Sequence, residues 1–250
     1  MFKLTRFLAI FSIIAAILTF PVIVGAAEDA SPVPEVETEM SETSESTLSL
    51  PARFLLPFVF NRSFEIPEGL KWVRDGRRPH LVAEKPRGWE TFNPANSIYN
   101  FLTNAHNGRS SVSGNSVMVD DPFFGCKYEI GGWRQEGRIR ITPANTYQLS
   151  YWARYHDLLS GASITPASQI TVYDSQGEQI TGISTSPSFS VAEGSWEQLT
   201  PLTIGPGGTF GWPENAALVK VDLFATGFNP SGCTPGKIAT VDFDDVSFHP

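Results

Sequence analysis

Hydrophobic and polar residues alternate with a period of two in several segments that follow Phe54. The pattern is longest from residue 147 to 156, where the odd positions are Tyr, Leu, Tyr, Ala and Tyr and the even positions are polar except for Trp152. Shorter examples are Ile139/Ile141, Ile170/Val172 and Val219/Val221/Leu223. Because successive side chains of a strand point to opposite faces, each segment predicts a half-buried β-strand.

The last segment contains a break in this alternation. Val241 and Phe243 have odd numbers, whereas Val246 and Phe248 have even ones. One extra residue at Asp244-Asp245 would return all four side chains to one face, so the pattern predicts a β-bulge there. No long segment has a helical period of about 3.6 residues. About eight strands separated by turns predict an all-β fold, a two-sheet antiparallel β-sandwich.

The amino terminus has the pattern of an export signal. Lys3 and Arg6 precede an apolar run, and Val24-Gly25-Ala26 supplies small residues of the kind found at cleavage sites. We therefore predict a signal peptide at 1–26 and an extracellular, secreted protein. The alternative is an uncleaved membrane anchor, because the run approaches the ~20 residues that cross a bilayer.

The segment that follows differs in composition from the rest of the chain. From Glu28 to Leu50 it has seven acidic residues, no basic residue and no aromatic residue. Such a composition cannot bury enough apolar surface to fold, so 27–52 is predicted to be a disordered acidic linker rich in Ser, Thr, Glu and Pro. The predicted folded domain is 53–250. Without this segment and the signal, 19 acidic and 16 basic residues remain.

Charge and cysteine content narrow the function classes. The net charge of −8 over 250 residues argues against nucleic acid as a partner, because phosphate backbones require basic patches. We expect a monomer. Cys126 and Cys233 are the two cysteines of the chain, which is too few for a four-cysteine zinc site. Since export places them in an oxidising compartment, we predict that they form a disulfide.

Several motifs occur in a familiar order. They are Asn61-Arg62-Ser63-Phe64-Glu65, Gly88-Trp89, the run from Ala105 to Val112, the run from Tyr147 to Trp152, Trp196, and Phe243-Asp244-Asp245-Val246. This order resembles the galactose-binding-like jelly roll, and more narrowly it is similar to carbohydrate-binding modules of families four, nine and twenty-two. The chain departs from that pattern in its long stretch from Ile66 to Arg87 and in Arg62, where a small residue is common.

The resemblance also implies a structural Ca²⁺ that joins the first strand to the last. The matching positions are Glu65 and Asp244, with Asp245 or backbone carbonyls near residues 108–111 completing the shell. Hard cations prefer such oxygen ligands. The alternative is that the two aspartates lie at a solvated strand end.

Candidate ligand residues lie on strand faces that are not core. Trp152 and Arg154 share the outward parity of their segment, and an aromatic platform beside hydrogen-bonding side chains complements a sugar ring. Alternatively, a loop covers Trp152. The same parity places Tyr173 and Asp222 outward, and a bulge near Gly137 would turn Trp133 and Gln135 outward as well. Trp89 and Trp196 are predicted to lie in the core.

Catalytic motifs are scarce. The chain has no zinc-protease histidine pair and no nucleophile elbow. Asp242 and Asp244 share a strand face and are a candidate carboxylate pair for glycoside hydrolysis. The main hypothesis is a secreted, non-catalytic protein that binds a polysaccharide or cell-surface glycan. The alternatives are a jelly-roll hydrolase or lyase, and a surface adhesion module with a non-sugar ligand.

Overall fold

A computed structural model describes residues 55–56, 58–75, 78–123, 125–230 and 232–250. The predicted signal peptide and the whole of the predicted linker lie outside these residues. The regular elements of the described part of the chain are strands and one short 3-10 helix, Pro94–Asn96. No helix in that part is long and apolar enough to cross a bilayer.

Most strands of the amino-terminal half have two to five residues. The strands of this half are β1 (Leu55–Leu56), β2 (Pro67–Glu68), β3 (Lys71–Asp75), β4 (Arg78–Val82), β5 (Lys85–Pro86), β6 (Trp89–Thr91), β7 (Ser97–Asn100), β8 (Ser111–Asp121) and β9 (Gly125–Ile130). The remaining strands are β10 (Gly132–Gln135), β11 (Arg138–Arg140), β12 (Tyr147–His156), β13 (Ser163–Tyr173), β14 (Gln179–Thr185), β15 (Glu197–Ile204), β16 (Leu218–Phe228) and β17 (Gly236–His249).

Two sheets form the sandwich that the alternation predicts. The first sheet begins with the order β14-β13-β16. Two short strands, β10 and β11, pair with different parts of the other edge of β16. Beyond them, β6 pairs with β10, and β1 pairs with β11. The second sheet runs β15-β12-β17-β8, with β7 and β9 beside β8. The pairing is antiparallel except for the short β1–β11 contact. Two small ladders, β2–β5 and β3–β4, lie outside both sheets.

The core fills the space between the sheets. The odd residues of β12 from Tyr147 to Ala153 are buried on one side, and Val219, Val221 and Leu223 of β16 are buried on the other. These are the positions that the alternation with a period of two predicts to be buried. Their burial leaves each sheet with one outer face.

The predicted bulge in β17 is confirmed. Asp244 pairs with Trp152 and Ser247 pairs with Ser150, so two residues of β17 oppose one residue of β12. Asp245 has φ of 49°, the left-handed conformation that accommodates the extra residue. Val246 and Phe248 thereby return to the core.

The predicted disulfide is also confirmed. Cys126 of β9 is bonded to Cys233, which precedes β17, with a Cα–Cα distance of 5.7 Å. The bond ties an edge strand of the second sheet to the connection between the last two strands.

Candidate functional site

The outer face of the first sheet is a broad surface of charged, polar and aromatic side chains, which we name the front face. Its residues are Glu90, Phe92, Arg134, Arg138, Arg140, Gln169, Thr171, Tyr173, Lys220, Asp222 and Phe224. Strand pairing sets their order, because directly opposed residues of neighbouring strands share a face. Gln169, Asp222, Arg134 and Glu90 therefore form one row across four strands.

The centre of the front face is a rigid ion pair. Arg134 donates one hydrogen bond from Nε to Oδ1 of Asp222 and a second from Nη2 to Oδ2, both of 2.8 Å. The Asp222 side chain is 4% exposed, while that of Arg134 is 40% exposed. The hydrogen bond to Asp222 raises the pKa of Arg134. The carboxylate thus holds the guanidinium in one orientation with part of it open to solvent.

One end of the front face carries a stacked cation and ring. The Arg138 guanidinium carbon lies 4.0 Å from the centre of the Tyr173 ring. This is the geometry of a cation–π contact. Nη1 of Arg138 is buried and has no hydrogen-bond partner among the described residues.

The other end carries two phenylalanines. The rings of Phe92 and Phe224 meet edge to face with centroids 6.0 Å apart. Phe92 reaches this position because it lies directly on the backbone of Gly132, where a Cβ would come within 2.1 Å of the ring. A glycine is therefore required beneath this aromatic side chain.

Lys220 lies between the centre and the Arg138 end. Its side chain is 18% exposed, and Nζ is 3.9 Å from Glu90 Oε1. Burial is the main reason why the pKa of Lys220 is lowered; Glu90 opposes this shift, and Arg134 and Arg138 reinforce it.

The outer face of the second sheet, which we name the rear face, holds Trp152 and Arg154. The His106 ring stacks on Trp152 with centroids 3.7 Å apart and planes 12° apart. A sugar platform needs an open ring face, and the loop that carries His106 covers one face of this ring. The structure therefore favours the alternative that a loop packs on Trp152, although the side chain stays partly exposed.

Arg154 is turned toward the protein and not toward a ligand. It donates hydrogen bonds from Nε and Nη2 to Asp242, which is 0% exposed. Ser113 Oγ donates to the same carboxylate at 2.5 Å, and His156 Nε2 lies 3.3 Å from it. Burial alone would raise the pKa of Asp242, but the hydrogen bonds from His156, Ser113 and Arg154 outweigh it and lower the pKa.

Two of the predicted ligand residues lie in the core, so their predicted placement was wrong. Trp133 is 1% exposed and Gln135 is 0% exposed. Trp133 pairs with Leu223, so the β10–β16 register directs its side chain between the sheets. The bulge expected near Gly137 does not turn them outward. Arg134, between them, takes the outward position.

The tryptophans predicted to lie in the core behave differently. Trp89 is fully buried, as predicted. Trp196 lies on the rear face beside His106 and Arg154, so its core placement was wrong. It precedes β15, and the alternation that buries Leu199 and Leu202 does not extend to it.

The predicted calcium ligands all face the loop at residues 106–110. Glu65 Oε1 accepts the backbone N–H groups of Arg109 and Ser110 at 2.6 and 2.8 Å. Asp244 accepts those of His106, Asn107 and Asp245. Within the described residues, no group of three or more His, Cys, Asp or Glu side chains is arranged to hold a metal ion.

Asp244 nevertheless has the chemistry of a carboxylate that a cation would stabilise. It is 0% exposed, and burial raises its pKa to about 7. No Lys, Arg or His side chain of the described residues forms an ion pair with it. Oxygen donors of this kind fit Ca²⁺. The calcium site stays a prediction.

Millimolar calcium is expected to raise the thermal midpoint above that in chelator, because an ion that binds only the folded state stabilises it by mass action. Asp244→Asn and Glu65→Gln should each remove the increment. The measurement is a melt in each buffer, with elemental analysis to detect an ion too tightly held to strip. If a metal-free protein has the same thermal midpoint in calcium and in chelator, these carboxylates are stabilised by the backbone N–H donors alone.

Comparisons by sequence give no relatives. No family model matches the chain, and no curated protein matches it.

Solved structures with a similar arrangement include a CBM22-1 xylan-binding domain from Paenibacillus barcinonensis Xyn10C. It is 10% identical, with a TM-score of 0.39, over 75% of this chain and 90% of that chain. The CBM22-1–GH10 modules of Clostridium thermocellum Xyn10B, complexed with xylohexaose, are 12% identical with a TM-score of 0.43, over 77% of this chain and 28% of that chain.

A third similar structure is the enzymatically active domain of tailspike protein 4 from bacteriophage CBA120. It is 15% identical with a TM-score of 0.37, and the match covers 66% of this chain but 20% of that chain. This chain therefore spans a small part of the tailspike and of the two-module xylanase. Carbohydrate-binding modules of the kind that the sequence motifs resemble are among the structures similar to this chain.

Proposed function

We propose that this domain belongs to an exported protein and binds polysaccharide on the front face without catalysing a reaction. The observation that carries the proposal is the order of groups along that face: Phe92 and Phe224 at one end, the Arg134–Asp222 pair in the centre, and Tyr173 with Arg138 at the other end. Tyr173 pairs with Leu218 of β16, and Leu218 is separated from Phe224 along that strand by about 20 Å. This distance is the approximate length of the proposed binding surface.

This order complements an extended glycan. Sugar rings have apolar C–H faces and rims of hydroxyl groups, so aromatic side chains contact the faces and planar polar groups bind the rims. The bidentate pair keeps Arg134 in place before a ligand arrives, which lowers the entropy lost on binding. On the rear face, the loop that carries His106 covers one face of the Trp152 ring.

The carboxylates are poorly placed for hydrolysis. A glycosidase needs two carboxyl groups that reach the scissile bond. Asp242 and Asp244 are 0% exposed and are occupied by hydrogen bonds within the protein. On the front face, Asp222 is engaged by Arg134 through both oxygens. These contacts support binding over the hydrolase alternative.

Tyr173→Ala is expected to weaken retention on polysaccharide by about ten- to a hundredfold, since losing one buried aromatic contact costs on the order of 1.5–3 kcal/mol. The thermal midpoint should change little, because Tyr173 lies on the outer face and is only partly buried. Affinity electrophoresis in a panel of soluble polysaccharides measures retention.

Trp152→Ala is the matched control, since it removes an aromatic side chain from the rear face. It should leave retention unchanged while lowering the midpoint. A reducing-sugar assay on the same samples tests for catalysis. Loss of retention in Trp152→Ala with normal retention in Tyr173→Ala would move the site to the rear face. Product release would favour the hydrolase or lyase, and no retention on any polysaccharide would favour an adhesion module with a non-sugar ligand.

A further inference from the structure

The front face is positively charged although the folded region as a whole is not. It carries four basic side chains and two acidic ones, which are Arg134, Arg138, Arg140 and Lys220 against Glu90 and Asp222. By contrast, the predicted folded region has 19 acidic and 16 basic residues. Basic charge is therefore concentrated on the face where we place the ligand.

The two acidic groups do not neutralise all four basic ones. Both oxygens of Asp222 are occupied by Arg134. Glu90 lies 3.9 Å from Lys220, beyond hydrogen-bond distance, and its side chain is 48% exposed. Among the described residues, no carboxylate is hydrogen-bonded to Lys220, Arg138 or Arg140.

Lys220 and Arg138 lie side by side. Ile139 pairs with Val219 in the antiparallel β11–β16 ladder. Arg138, which precedes Ile139, is therefore opposite Lys220, which follows Val219. Directly opposed side chains on one face are close enough to interact, and like charges placed there destabilise the fold. Lys220 is mostly buried and Nη1 of Arg138 is a buried donor without an acceptor. Buried donors of this kind are costly unless an acceptor pairs with them.

We propose that the front face is selective for anionic glycans and that Lys220 and Arg138 bind an acidic group of the sugar. This inference rests on the proposed function of the same face. A carboxylate or a sulfate ester supplies two or more acceptor oxygens, which match the partly exposed guanidinium of Arg138 and the ammonium of Lys220. The Tyr173 ring beneath Arg138 places an apolar contact beside the acidic group. A neutral sugar offers no such charge.

The test compares retention of the full chain on polygalacturonate, on the same polymer after carboxyl reduction, and on dextran sulfate. Wild-type protein should bind polygalacturonate about tenfold or more tightly than its reduced form, because hydrogen bonds between charged groups are the stronger kind. The preference should decline as salt is added. Retention on dextran sulfate instead of polygalacturonate would identify sulfate as the acidic group.

Lys220→Gln should lower retention on polygalacturonate more than retention on the reduced polymer, and so remove most of this preference. Arg109→Gln is the matched control, since it removes one positive charge from an exposed side chain outside the front face. Circular dichroism of each variant checks the fold. Equal wild-type retention on acidic and reduced polymers would overturn the selectivity but leave the proposed function standing. Equal losses in both variants would indicate unspecific charge attraction and would also overturn it. No retention on any of the polymers, charged or reduced, or on the neutral panel, would overturn the proposed function itself.

Discussion

Arg154→Met is expected to lower the free energy of unfolding by about 3–5 kcal/mol, since removing one partner of a buried ion pair leaves an uncompensated charge. Asp242 is 0% exposed, and Arg154 supplies two of its hydrogen bonds. The guanidinium also lies 4.7 Å from the Trp196 ring, so methionine keeps part of the packing but none of the charge. Urea unfolding followed by fluorescence measures the loss.

The double variant Arg154→Met/Asp242→Asn separates charge from packing. If the buried carboxylate causes the instability, its neutralisation should recover part of the loss despite the second substitution. Additive losses would instead assign the effect to packing. A change within about 0.5 kcal/mol in Arg154→Met would be typical of a surface residue and would contradict the structural role. Retention of Arg154→Met on polysaccharide, measured below its unfolding transition, should equal that of wild type.

Replacement of both cysteines by alanine is expected to destabilise the domain by about 2–5 kcal/mol. The bond between Cys126 and Cys233 closes a segment with a sequence separation of 107 residues, which restricts the unfolded chain strongly. It also holds β9 near the segment that enters β17. The unfolding midpoint in urea, with and without reductant, measures this contribution.

The alanine variant also provides the control for reduction. Reductant should lower the midpoint of wild-type protein to that of the variant and leave the variant unchanged. Two free thiols in non-reduced wild-type protein would show that the bond is absent. An equal effect of reductant on both proteins would show that it acts elsewhere.

The alternation of side chains predicted the fold well because it depends on local geometry. Val241, Phe243, Val246 and Phe248 indicated both the last strand and its bulge, since each apolar side chain must reach the same core. The same parity placed Tyr173 and Asp222 outward, and the structure puts both on the front face. Arg134 was not predicted to lie on this face, because the bulge expected near Gly137 assigned the outward positions to Trp133 and Gln135.

Parity within one strand cannot show which outward face stays open. Trp152 and Tyr173 both point away from the core, but a loop from a distant part of the chain covers the first, whereas the second lies on the front face with the predicted Asp222. The register between β10 and β16 likewise decided that Trp133 is buried and Arg134 is not. By itself, the sequence determined the long alternating strands, the bulge, the paired cysteines and the two-layer architecture, because these depend on local alternation and cysteine number. Tertiary structure decided which polar groups meet, since Arg134 and Asp222 come from strands separated by 88 positions and become partners only when the sheet forms.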